Sequence, residues 1–180
     1  MAQLALPIAE LETRHPGLTR AVASTFYEAA CVCLERHHNS PVTFSVFSGG
    51  AFIDALVEWA IPDARCKAAH ANEIKATEEG AYACALAAVE ITQGLIAIHQ
   101  AETRSGADYY LGEPGNSVYD LEGSRRLEVS GVDHGNASAV DSRLRQKIDQ
   151  ALAGRSNLPA LAGVVGFGAK LIKLQKAERI

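Results

Sequence analysis

GADYYLG (residues 106–112) and RRLEVSG (125–131) decide how this chain is read. Each run is short, rich in aromatic and branched residues, partly alternating, and bounded by glycine or polar residues, which is the signature of a strand. LIAIHQAET (95–103) precedes them with the same character, so three strands in meander order are expected after Gly94. EPGNSVYDLEGS (113–124) is the longer turn between the second and the third.

The segments on either side supply helices. PDARCKAAHANEIKATEEGAYACALAAVEITQ (62–93) is rich in Ala, Glu and Lys with no internal proline, and predicts one long helix, or two in series, stopping at Gly94. Its second half presents Ala76, Gly80, Ala81, Cys84, Ala85 and Ala88, small side chains that let a helix lie close on a sheet. Downstream, ASAVDSRLRQKIDQAL (137–152) is a polar helix with Val140, Leu144, Ile148 and Leu152 as its narrow apolar stripe. NLPALAGVVGFG (157–168) suits a buried strand, and AKLIKLQKAE (169–178) an outer strand or a tail.

Nearer the start, LTRAVASTFYEAACVCLER (18–36) carries one apolar stripe through Leu18, Val22, Phe26, Ala29, Ala30, Cys33 and Leu34, and predicts a helix. VTFSVFSGG (42–50) alternates as a strand, whereas AFIDALVEW (51–59) reads as strand or short helix. The element order implies an α/β fold, with helices on each face of a mixed sheet in three layers. We expect a single domain over residues 1–180, with its core at about 70–170 and a helix-and-strand extension at about 1–60.

Composition narrows the function. With 48% hydrophobic and 21% charged residues and a mean hydropathy of zero, the chain can bury a real core. A net charge of -4 excludes an overall positive field for nonspecific binding of nucleic acid, and leaves room only for a local basic groove. The first residues lack a basic region, and Glu10 and Glu12 interrupt their apolar stretch, so no secretory signal is expected. No run of 18 apolar residues suggests a membrane span, and the four cysteines suit reduced thiols, so a cytoplasmic location is expected.

Three carboxylates stand out: Asp108 and Glu128 on the two strands, and Glu78 in ATEEGA on the helix before them. Their convergence would hold a hard divalent cation such as Mg²⁺ or Mn²⁺. This arrangement, a helix Glu, an Asp on the second strand and a Glu on the third, resembles the core of the PD-(D/E)xK nuclease superfamily, the restriction-endonuclease-like fold, over roughly residues 70–170. ATEEGA, GADYYLG and RLEVSG also resemble segments of uncharacterised bacterial proteins of that superfamily.

The resemblance implies Asp108 and Glu128 as metal ligands, and Glu78 as the helix carboxylate that orients the attacking water. Glu79 is its rival, but points about 100° away on a helix. We favour Glu78, because its offsets to Ala81 and Ala85 put it on the small-residue face. Ser130 stands where the family pattern has lysine, and cannot supply its charge. Lys147, in the following helix, is the candidate replacement, as such relocation occurs in the superfamily. Arg143 and Gln146 are the adjacent candidates for phosphate contacts. The implied activity is metal-dependent hydrolysis of a phosphodiester in DNA or RNA, whose developing negative charge a divalent cation stabilises.

A second reading takes the missing lysine at face value: an inactive scaffold serving protein or nucleic-acid contacts in a larger bacterial assembly. A third, a small-molecule phosphoester or ligand-binding protein, calls for a small closed cleft rather than an open one. A homodimer is compatible with either nuclease-like reading.

Other features carry less. His37 and His38 lie near Cys31 and Cys33, but Cys-x-Cys on a helix turns its thiols about 200° apart, a poor start for zinc. His15, His70, His99 and His134 are scattered, with no neighbouring nucleophile. The glycines of GVVGFGAK (163–170) fit neither phosphate-loop nor dinucleotide patterns. Tyr109 and Tyr110 are read as core or cross-strand residues, and Trp59 as core.

Overall fold

The structure, a computed structural model, describes residues 4–178; residues 1–3 and 179–180, the ends of the expected domain, lie outside the described residues. In chain order the elements are β1 (Leu4–Ala5), α1 (Arg20–His37), β2 (Val42–Ser48), β3 (Ala51–Val57), α2 (Ala64–Ala69), α3 (Glu73–Gln93), β4 (Ile96–Gln100), β5 (Tyr109–Gly112), β6 (Arg125–Val132), α4 (Ala137–Ala153), β7 (Ala160–Gly166) and β8 (Leu171–Lys176). The strands form one mixed sheet in the order β1-β3-β2-β8-β7-β6-β5-β4. The fold is α/β.

Side-chain alternation along the central strands places the helices. Leu127 and Val129 of β6 and Leu161 and Val165 of β7 point into the main core, which also holds Leu34 of α1 and Leu86 of α3. Ala162 and Val164 of β7 point the other way, onto Val140 and Leu144 of α4. Since successive strand residues face opposite sides, α1 and α3 cover one face and α4 the other. β7, covered on both faces, is buried at all 7 of its residues, as its continuous apolar run requires.

The β4–β5–β6 meander pairs antiparallel as expected, and β6 then pairs parallel with β7 through the α4 crossover. Two expectations that left alternatives open are resolved, and a third needs correction. The segment 62–93 is two helices, because Asn72 accepts a hydrogen bond from the Lys75 amide and starts α3 afresh. AFIDALVEW supplies β3, folded back on β2 by Gly49 and Gly50, whose φ values of 61° and 85° suit a two-residue hairpin turn. β8 is neither outer strand nor tail: it lies between β2 and β7 and carries the buried Ile172 and Leu174. Through β8 the N-terminal hairpin joins the same sheet as the predicted core.

Candidate metal centre

The site forms where β5 begins late. β5 pairs with β6 only from Tyr109↔Leu127 to Leu111↔Arg125, whereas β7 follows the other edge of β6 as far as Val132. From Glu128 onward, β6 therefore has one edge without a partner strand. Asp108 stands just before β5, not within it, and its backbone N–H donates to the Leu127 carbonyl (2.7 Å). Its side chain then takes the place of the missing strand. Oδ2 accepts the Val129 amide at 2.7 Å, and Oδ1 accepts the Tyr82 hydroxyl of α3 at 2.9 Å. One carboxylate is thus fixed by strand and helix together.

Glu128 lies opposite in phase to Leu127 and Val129, and so projects towards α4. There its Oε1 accepts a hydrogen bond from Lys147 Nζ at 2.8 Å. The pair is largely buried, with side chains 12% and 17% exposed. Burial raises the Glu128 pKa above its ordinary value; the Lys147 hydrogen bond lowers it, and the Asp108 charge raises it again. Glu128 therefore feels the charge of Asp108. The Tyr82 hydroxyl is pushed up by burial, by Asp108 and more weakly by Glu128, so it stays a protonated donor.

The uncovered edge of β6 lets residues from both faces of the sheet meet. Glu78 and Thr77 of α3, Ser130 of β6 and Arg143 of α4 line a cleft of about 390 Å³ together with Asp133 and His134. α3 approaches β6 so closely here that a Cβ on Gly131 would lie 2.5 Å from the Thr77 carbonyl oxygen. Glycine at 131 is what permits that approach.

Of the residues expected at the site, Glu128 and Lys147 are in direct contact and Asp108 is near enough for its charge to act on Glu128, but none of the three is among the residues that line the cleft. Ser130 is buried, two residues further along the same face of β6, and Arg143 lines the cleft one helical turn before Lys147. Glu78 reaches the cleft, but it is exposed and does not share the buried small-residue surface of α3. It has the direction of Ala85, yet that face has passed the covered part of the sheet by this turn, as the 77% exposure of Ile74 also shows. Glu79 turns towards His70 and Lys75, 3.7 Å from each. Gln146 is exposed and lies outside the lining of the cleft.

Tyr82 is the residue that the sequence reading missed. Its signal was present, since it lies four residues after Glu78 and so shares its side of the helix. Tyr109 stacks edge-on with Phe26 and Tyr82 in the core, and Trp59 is buried with its indole N–H on Glu35 (3.0 Å), as expected for packing residues. The Cys31 and Cys33 thiols are buried, which pushes each up to about 11 and keeps them protonated. No family model, curated protein or solved structure matches this chain.

Proposed function

We propose that the protein hydrolyses phosphodiester bonds in nucleic acid with Mg²⁺ or Mn²⁺, as a divergent member of the PD-(D/E)xK superfamily built on its three-layer core. The observation that carries this reading is the ammonium of Lys147 on Glu128, beside Asp108. It returns to the carboxylate pair the positive charge that Ser130 cannot provide.

The donor set fits a hard cation. Asp108 and Glu128 offer carboxylate oxygens with lone pairs beyond those their present donors use, and would hold a divalent cation whose charge offsets their own. Bound there, Mg²⁺ would offset negative charge developing on the phosphate and acidify the attacking water. The chain's own groups do the rest. Lys147 positions the water and balances transition-state charge. Arg143, at the cleft wall, contacts a phosphate oxygen, and Gln146 lies further out on α4 to meet a longer backbone. Glu78, at the rim, orients the water from the α3 side. Tyr82 and the Val129 amide hold Asp108 in place. Glu73, Ile74, Glu78 and Arg143 of the cleft lining are exposed, so the cleft opens to solvent, as a polymer substrate requires.

Cleavage of labelled single- and double-stranded DNA and RNA in Mg²⁺ or Mn²⁺ tests the proposal. Asp108→Asn and Lys147→Ala should each lower the rate by about 100-fold or more, with the fold intact by circular dichroism. Cleavage that survives Asp108→Asn would contradict it. The inactive-scaffold reading draws on a different observation: both Asp108 oxygens and Glu128 Oε1 already accept internal donors. Under that reading the wild type cleaves nothing in either metal, and Asp108→Asn leaves partner binding unchanged.

A further inference from the structure

α2 is a helix of 6 residues that buries none of its own side chains. Its own side chains therefore supply little apolar packing against α1, and polar groups carry part of that contact. The residues at its contact with α1 are Glu28 of α1, Cys66 of α2 and His70 at the α2 C-terminal cap, and their ligand atoms all lie within 4.8 Å of one another. The edge between His70 Nε2 and Glu28 Oε2 is 3.2 Å. A tetrahedron with ligands at about 2.0 to 2.1 Å from its centre has edges of about 3.3 Å. Cys66 and His70 are four apart, which brings a thiol and an imidazole to the same side of a helix.

We infer that Glu28 Oε2, Cys66 Sγ and His70 Nε2 form a zinc site that clips α2 to α1, separate from the carboxylate centre on β6. The surroundings are built for such an ion. Glu79 of α3 lies 3.7 Å from His70 Nδ1, the other ring nitrogen, on the side where a carboxylate can draw in to orient a zinc-bound histidine. Asp63 adds a negative charge beside Cys66, whose amide it caps at 2.7 Å. Thiolate with imidazole selects zinc over magnesium. Glu28 and Cys66 also line a cavity of about 370 Å³, which gives the fourth coordination position access to water. The other cluster of this kind, His37, Asp133 and His134, is a poorer cation site, because the Arg36 guanidinium already pairs with Asp133.

Titration of the reduced full-length protein with Co²⁺, followed by displacement with Zn²⁺, tests the inference. We expect one Co²⁺ per chain with a thiolate-to-cobalt charge-transfer band, bleached by Zn²⁺. Cys66→Ser, a substitution at a half-exposed position, should abolish the band and weaken Zn²⁺ binding by at least about 100-fold. Glu79→Gln should weaken it by about 10-fold with the band retained. Cys31→Ser and Asp108→Asn should leave both unchanged, which separates this site from the neighbouring thiol and from the carboxylate centre. Absence of the band in the wild type, or its survival in Cys66→Ser, overturns the assignment.

Discussion

Asp108 carries two loads at once, since its carboxylate closes the backbone ladder at Val129 and anchors Tyr82 while its charge acts on Glu128. Removing it leaves a strand amide and a half-buried hydroxyl without an acceptor. Asp108→Ala should therefore cost about 1–3 kcal/mol in urea unfolding, and Asp108→Asn less, because one carboxamide oxygen remains. Glu128 gives a pH signature. Its folded pKa is raised above the ordinary 4.5, so the folded state binds its proton more tightly than the unfolded chain does. The resulting contribution to stability is fully present below about pH 4.5 and is lost as pH rises through the folded value. Unfolding free energies of wild type and Glu128→Gln measured across that window should diverge, with the wild type losing stability relative to the variant as pH rises. Parallel curves would show that Glu128 is not perturbed.

At the scale of elements, the groove exists because β5 is short and α3 runs past it. Gly131 lets the Thr77 turn settle against the open edge of β6. Gly131→Val should push α3 away, lower stability by about 1–3 kcal/mol and weaken cleavage together, as read by thermal melts and the nuclease assay. A variant of wild-type stability would mean that this contact is loose. Helix–strand order around the meander was legible because period and punctuation change sharply at Gly94 and Gly112. The break between α2 and α3 was less visible, since one capping asparagine outweighs the helix propensity of its Ala- and Lys-rich flanks. Glu78 was placed on the right side of its helix and in the wrong environment, because periodicity gives direction and does not tell where a covering sheet ends.

For the molecule as a whole, the long-range pairing of β8 between β2 and β7 joins the first third of the chain to the rest. Local patterns cannot show such pairing: an alternating run of Leu, Ile and Lys suits an edge strand as well as an interior one, and only the partner strands decide. The candidate centre was more legible than this, since Asp108, Glu128 and Lys147 were each marked by chemistry as well as position. What sequence lacked was the support behind them, the Tyr82 hydroxyl and the Val129 amide. It also hid the proposed zinc ligands, because Glu28 comes from another helix than Cys66 and His70.

All of the hydrolytic account rests on Asp108 and Glu128 sharing a divalent cation, and crystals soaked in Mn²⁺ test this most directly. The account predicts an anomalous peak within about 2.6 Å of an oxygen from each of the two carboxylates, absent in Asp108→Asn. A data set of equal quality with no peak between them, and with Lys147 still paired to Glu128, would contradict it.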